Sequence, residues 1–493
     1  MRKKMLGIVG GVVLVAALGT AAFLLLKSQP EEPSSGNSAE ESSAVSVTLT
    51  EQEPNDVTSI DVTNASGNFE VVRTAEGNGT DNAVFAIAGW EDLPMETSTL
   101  WTLPNNTASM NTTDLVEENC ADLAKFGLDD ETAVAVTLHF EDGSSYSFRV
   151  GNAVSGTENT YFAPADEDTV YTVKTSLVAN FSKSAMDFLS KTILEEPAEE
   201  DYPIVNSLTV ERKDIDYVLE LDYDETSVDE DSMGGTVASH EMVSPVPAYL
   251  SVDRSTPVVT GMFGLTAEKA VIPHPTESDL EEAGLTAPFG TAAMACDDGN
   301  TYVLKFGERF TETDEETGDQ TAYYYVYLEG VDVIYQVTEE NMVWATVAPT
   351  DIASKLVIGT YVWDVGSLDV RVNDLEYTFD VTATGKDDAV VKLNGESADP
   401  ERYRQFYSFL LNTTAETVEL NGTPEGNPLA EIKIKTQDGK FTRDLAFYAI
   451  DDFTCLITVD GASAYTCRKS YLDTLHSNME IYDTDEEFTT NWS

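Results

Sequence analysis

Val57-Thr58-Ser59-Ile60-Asp61-Val62 is the stretch on which the fold turns, because it comes back twice. It returns as Asn206-Ser207-Leu208-Thr209-Val210 and as Gly366-Ser367-Leu368-Asp369-Val370. Ser59 and Ser207 are 148 residues apart, Ser207 and Ser367 160. A repeat at this spacing means that one domain-sized unit has been copied along the chain. Each copy reads as a strand with alternate residues buried, followed by a second alternating strand: Phe69 to Val72, Tyr217 to Leu221 and Tyr377 to Val381.

Working outward, Asp122-Leu123-Ala-Lys-Phe-Gly127-Leu128 matches Asp279-Leu280-Glu-Glu-Ala-Gly284-Leu285. Both read as one or two helical turns closed by a left-handed glycine. A hairpin follows each, around Asp142-Gly143 and Asp298-Gly299. Its apolar faces match when Phe140 lies opposite Tyr146 and Leu138 opposite Phe148, centred on Gly143; in the second copy Cys296 opposes Tyr302 and Met294 opposes Leu304, centred on Gly299. Adjacent aromatics mark later strands, Tyr161-Phe162 and Tyr323 to Tyr325, and the units close with Val170 to Val173 and Val333 to Val337. The third copy lacks the Asp-Leu…Gly-Leu segment, and Ile432 to Gly439 fits neither hairpin register, so 359–493 reads as a shortened or diverged unit.

Helices are few. Asp399-Pro400 starts one, with Tyr403, Phe406, Tyr407 and Leu410 on one face; Val178 to Leu194 reads as another, with Phe181, Phe188 and Leu189 as core candidates. Acidic insertions at 222–231 and 311–320 read as exposed loops.

The opening Ser-[Ile/Leu]-x-Val strand, the DLAKFGLDD segment, the DGSSYSFRVG hairpin and the closing VYTV together resemble the bacterial DUF4340 family, best over 57–195, less well over 206–345 and weakly beyond. The resemblance implies an often membrane-anchored protein with an accessory role in the cell envelope, since some members resemble auxiliary, substrate-binding-like parts of gliding-type ABC transport systems. It carries over no catalytic residue.

The N-terminus sets the expected compartment. Arg2-Lys3-Lys4 is followed by a charge-free run from Met5 to Leu26, closed by Lys27. At about 1.5 Å per residue a helix of that length crosses a bilayer core. A cleaved signal peptide and an uncleaved anchor compete. The length of the run, and the absence of a small-x-small site at Lys27-Ser-Gln-Pro30, favour the anchor. The basic cluster stays inside, so the remainder is expected outside the cytoplasm as a single-pass cell-membrane protein. Residues 28–46 are Ser, Glu and Pro with almost no apolar content, a disordered linker. The expected fold is thus α+β: strand-rich internal repeats with antiparallel sheets and a few helices, after a single transmembrane helix. The divisions are 1–27 anchor, 28–46 linker, and repeats at 47–200, 201–358 and 359–493.

Composition narrows the function. The chain has 493 residues, 28 basic against 88 acidic, and a net charge of −60. Such a surface repels phosphate backbones and excludes nucleic acid as a partner. Four cysteines exclude a disulfide scaffold.

The chemistry search is mostly negative. There is no phosphate-binding G-x-x-x-x-G-K-[ST] loop. His240-Glu241 begins like a zinc-protease motif, but Ser244 stands where the second imidazole belongs. Gly461-Ala-Ser463 begins like a nucleophile elbow but ends in Tyr465, within an expected hairpin. His139, His240, His274 and His476 are far apart in sequence. The acidic runs Asp222 to Glu225, Asp229 to Asp231 and Thr313 to Asp319 offer oxygens to calcium without EF-hand spacing, so weak cation screening is the expectation. Tyr323 to Tyr325 and Tyr361-Val-Trp363 read as sheet core rather than sugar platforms.

No catalytic, metal or cofactor site is expected. One pair stands out. Pairing Ile457 with Tyr465 across a hairpin sets Cys455 opposite Cys467, a close pair or a disulfide. The expected function is a non-catalytic, membrane-anchored envelope protein that binds a partner or serves as an accessory component, the resemblance implying an ABC-type transport system. The alternatives are an extracytoplasmic hydrolase with dispersed carboxylates and a structural or adhesive surface protein.

Overall fold

The opening strand of the first unit, Val57–Asn64, buries Val57, Ile60 and Val62, a set that strict alternation cannot place on one face. A β-bulge resolves it. Val57 pairs with Phe140 and Ser59 with His139, so Thr58 is an extra residue and the facing reverses once. The bulge recurs between Val205 and Ser207 and between Val365 and Ser367. There it buries Val205, Leu208 and Val210, and Val365, Leu368 and Val370. The copied sequence is therefore a copied bulge as well as a copied strand.

The computed structural model describes residues 47–491, except 79, 113, 225–237, 384, 386–387, 414 and 420. From Leu49 onward the described residues fall into one compact unit. Within it three antiparallel sheets share one plan. The first runs Val84–Ile87, Gly67–Ala75, Val57–Asn64, Val134–Phe140, Ser145–Ala153, Asn159–Pro164, Val170–Lys174, Leu115–Glu117. The second runs Ala248–Tyr249, His240–Ser244, Leu219–Tyr223, Val205–Arg212, Gly290–Cys296, Thr301–Phe306, Gln320–Leu328, Val333–Thr338, Lys269–Pro273, with Phe310–Thr313 beside Gln320–Leu328. The third runs Glu396–Ala398, Ala389–Leu393, Leu375–Ala383, Val365–Val372, Ala430–Thr436, Thr442–Ala449, Thr454–Val459, Ala462–Arg468, Thr417–Val418. In every unit the opening strand is central. The chain crosses through a helix (Thr97–Thr107, Val252–Val259 or Pro400–Leu411) and pairs at the far edge before building the hairpin.

Several expectations are corrected. The third unit is not shortened: it carries the full strand order. Its hairpin resisted alignment because the loop holds four residues. Thr436 N–H bonds the Phe441 carbonyl and Ile434 faces Arg443. In the first two units the hairpins sit two residues from the expected register. Leu138 faces Tyr146 and Val136 faces Phe148; Met294 faces Tyr302 and Ala292 faces Leu304. A slide of two keeps every side chain on its face, so face matching alone does not choose between these registers. The choice follows from the tight turn, in which Phe140 N–H bonds the Ser144 carbonyl and Gly143 takes φ +82°.

The segment Val178 to Leu194 is not one helix. A short turn at Thr175–Val178 leads into 3-10 turns at Ala179–Ser182 and Ala185–Phe188, and then an extended strap. Phe181, Phe188 and Leu189 are nonetheless buried. The helix Pro400–Leu411 forms as expected. Asp399 accepts the Glu401 N–H as its cap, and Tyr403, Phe406, Tyr407 and Leu410 lie in the core. The acidic stretch 311–320 is exposed throughout as expected; residues 314–319 form its loop, while its ends are paired as a hairpin, with Thr311 opposite Ala322 and Thr313 opposite Gln320.

The expected transmembrane helix is also corrected. Among the described residues no helix is long and apolar enough to cross a membrane, and the run from Met5 to Leu26 lies outside the described residues, as does the linker 28–46.

Two main cores fill the body. The first unit has its own, from Val57 to Phe188. The second and third units share a single continuous core, from Val205 to Tyr482, into which Leu93, Leu189 and Ile193 of the first unit also reach.

Candidate functional site

The most chemically loaded places are the joints between units. After its last strand the first unit runs through Asp187-Phe-Leu-Ser190-Lys191-Thr-Ile193, and the second through Asp351-Ile-Ala-Ser354-Lys355-Leu-Val357. This shared D-x-x-S-K-x-[IV] strap is a repeat that the sequence reading missed, although the letters show it. The strap is bonded the same way twice. Glu96 N–H bonds the Phe188 carbonyl and Ser190 N–H the Pro94 carbonyl; correspondingly, Ser251 bonds Ile352 and Ser354 bonds Tyr249. The Ser190 and Ser354 hydroxyls each accept the N–H two residues on, at 3.1 Å. On its other side the strap is held by the following unit, Ala267 N–H to the Lys191 carbonyl and Ala415 N–H to the Lys355 carbonyl, both 2.7 Å.

The second joint holds a buried cation. Arg443 occupies an inward position of strand Thr442–Ala449 and its side chain is 4% exposed. Its Nη2 donates to Glu241 Oε2 at 3.1 Å, and its Nε lies 3.8 Å from Asp460 Oδ2. The guanidinium also sits 4.8 Å from the ring centre of Tyr249 and 5.0 Å from that of Phe441. Glu241 and Tyr249 come from the second unit and the rest from the third, so the cluster ties one unit to the next. Burial pushes the Glu241 carboxyl up, against the pull of Arg443. Burial acts to lower the Arg443 pKa, but Tyr249, Glu241 and Asp460 outweigh it and hold it raised. Gly359 completes the seat: a Cβ there would lie 2.8 Å from Tyr249 Cζ. Chemically the cluster is a clamp, since carboxylates and ring faces already occupy the guanidinium.

At the first joint a cleft of about 260 Å³ opens beside the strap, lined by Gly264, Leu265, Thr266, Glu340, Val343 and Trp344 among others.

The residues singled out from sequence are distributed as follows. Cys455 and Cys467 are brought together, directly opposite in register, with Ile457 opposite Tyr465. His240 and Glu241 lie on a strand, not a helix. His240 Nε2–H donates to the Val205 carbonyl at 2.7 Å, and Nδ1 faces the Ser239 hydroxyl at 3.1 Å. The other histidines remain apart: His139 at Asp61, His274 at Asp92, His476 between Asp374 and Glu480. Ser463 follows an Asp460-Gly461 turn and donates to the Gly422 carbonyl. Asp314 is occupied by the N–H groups of Glu316 and Thr317, both at 2.8 Å. Asp229 to Asp231 and Glu225 lie outside the described residues. Among the described residues no group of three or more His, Cys, Asp or Glu is arranged to hold a metal.

Tyr324 is buried in the sheet, while Tyr325 lies against Phe310 at 4.6 Å. Tyr361 and Trp363 are not sheet core. Half-buried, they stack on each other, 4.8 Å apart and 7° from parallel, just before strand Val365–Val372.

The profile of a family described as "Domain of unknown function (DUF4340)" matches residues 86–288. That stretch is a DUF4340 domain. It begins in strand Val84–Ile87 and stops just before strand Gly290–Cys296. The DUF4340 span thus takes the first unit from strand Val84–Ile87 onward, its strap included, and the opening half of the second. The span falls in both stretches where the resemblance was expected, 57–195 and 206–345, but it begins later and ends earlier than they do and is centred on the joint between them. No curated protein and no solved structure matches the chain.

Proposed function

We propose that the protein is a non-catalytic binding component of the cell envelope, working outside the cytoplasm near the membrane and beside a transport complex of the ABC type. The observation that carries this reading is the joint. A strap bonded to its own unit on one side and to the next on the other fixes successive sheets in relative position. A rigid array of sheets presents a preorganised surface, which lowers the ordering cost of holding a partner. The reactive-looking residues of the described body support the same reading, because they serve packing: Arg443 clamps a joint and His240 holds a backbone carbonyl. The exported location rests on the sequence of residues 1–27, and the transport partner on the family resemblance. Crosslinking in intact envelopes, followed by identification of the adducts, tests it. Recovery of permease or ATPase subunits is the expected outcome. Adducts with soluble cytoplasmic proteins alone, or hydrolysis of ester or glycoside substrates by the purified body, would overturn it.

A further inference from the structure

We propose that Cys455 and Cys467 form a cross-strand disulfide that staples the last hairpin, made by exchange with a low-molecular-weight disulfide as the chain folds. Strands Thr454–Val459 and Ala462–Arg468 are antiparallel, and the register sets the two cysteines directly opposite each other. Opposed residues in such a pair lie about 4.5–5.5 Å apart at Cα. A disulfide accepts about 4.4–6.8 Å. Both side chains are on the buried face, Cys455 fully covered and Cys467 2% exposed. The register is set by two features together: the turn, where Asp460 and Gly461 both take positive φ, +51° and +86°, and a bulge at Ala464, which moves the pairing from Val459 opposite Ala462 to Ile457 opposite Tyr465 and so to Cys455 opposite Cys467. The two thiols hydrogen-bond to each other, which holds Cys455 below the ordinary thiol range and pushes Cys467 up. The other cysteines lack such a neighbour: Cys296 faces Val205, and Cys120 sits in the loop after strand Leu115–Glu117 of the first unit.

The exchange balances in two steps. The Cys455 thiolate attacks one sulfur of the small disulfide, making a mixed disulfide and releasing one small thiol. Cys467 then gives up its proton and attacks the Cys455 sulfur, releasing the second small thiol. The protein pair loses two electrons and two protons, and the small disulfide is reduced to two thiols. Helix Ser470–Glu480 follows at once and packs on strand Ala462–Arg468, so in the finished fold neither sulfur is accessible. The exchange therefore belongs to the folding chain.

The experiment refolds the full chain from denaturant with oxidised glutathione, then counts thiols after denaturing without reductant and maps the peptides. The expected result is loss of two of the four thiols, a Cys455–Cys467 crosslinked peptide, and a higher melting temperature than the reduced protein. Glutathione disulfide added to the native protein should act far more slowly. A variant carrying Cys120→Ser and Cys296→Ser should lose both remaining thiols; should it fail to fold, the wild-type map decides. Four titratable thiols after oxidative refolding, trapped glutathione adducts, a different linkage, or no change in melting temperature would each overturn the proposal.

Discussion

Arg443 shows how one side chain can decide a joint. Breaking a buried ion pair from one side leaves the other charge unpaired, at a cost of about 3 kcal/mol or more. Glu241→Gln should therefore lower unfolding free energy by about 3 kcal/mol in urea titrations. Replacing both, Glu241→Gln with Arg443→Met, should cost less than Glu241→Gln alone, since no charge is then stranded. Simple additivity of the two single changes would show that the pair is not coupled. His240 gives a pH signature. Burial, opposed by the Val205 carbonyl, holds its pKa below the ordinary value. A histidine depressed in the folded state adds stability that is complete above its unfolded pKa, about 6.5, and is lost as pH falls. Unfolding free energy should drop between about pH 7 and 5, and His240→Gln, which does not titrate, should flatten that slope. An unchanged slope in the variant would rule the residue out as its source.

Elements are governed by turn and cap chemistry, which sequence shows unevenly. The helix Pro400–Leu411 was legible because its cap, its proline and its apolar stripe are all local; Asp399→Ala should cost about 1 kcal/mol in chemical denaturation. A loss of only a few tenths would mean that tertiary contacts alone hold the end. The hairpin faces were legible, but their register was not, because alternation repeats every two residues and a slide of two is invisible to it. The bulge after Val57 was written in the spacing of Val57, Ile60 and Val62 and needed the pairing partner His139 to be seen. The transverse strand pairs at the far sheet edges, such as Lys269–Pro273 beside Val333–Thr338, carry no local signal, since only the closed sheet brings them together. At the joints, Glu241 and Arg443 are 202 residues apart, and nothing near either announces the other. The Cys455–Cys467 opposition was readable because one short hairpin contains it.

At the scale of the molecule, three sheets of one plan are not three independent domains. The first unit has its own core, whereas the second and third share one. A unit whose apolar face is shared cannot bury it alone, and below a full core a fold of this size loses most of its margin. Cutting the chain between the first and second units removes Leu93 and the strap residues Leu189 and Ile193 from the buried part of the shared core and leaves its other buried residues in place. Cutting between the second and third exposes a core surface on both sides and strands Arg443 without Glu241. A fragment of residues 201–493 should therefore unfold cooperatively, with lower stability than the same region in the full chain. A fragment of residues 201–358 should show no cooperative transition. The measurements are urea unfolding followed by circular dichroism, and hydrogen exchange on the fragments. Cooperative unfolding and strong exchange protection in 201–358 alone would show that the core divides at residue 358, and that the clamp at Arg443 joins two finished domains rather than completing one.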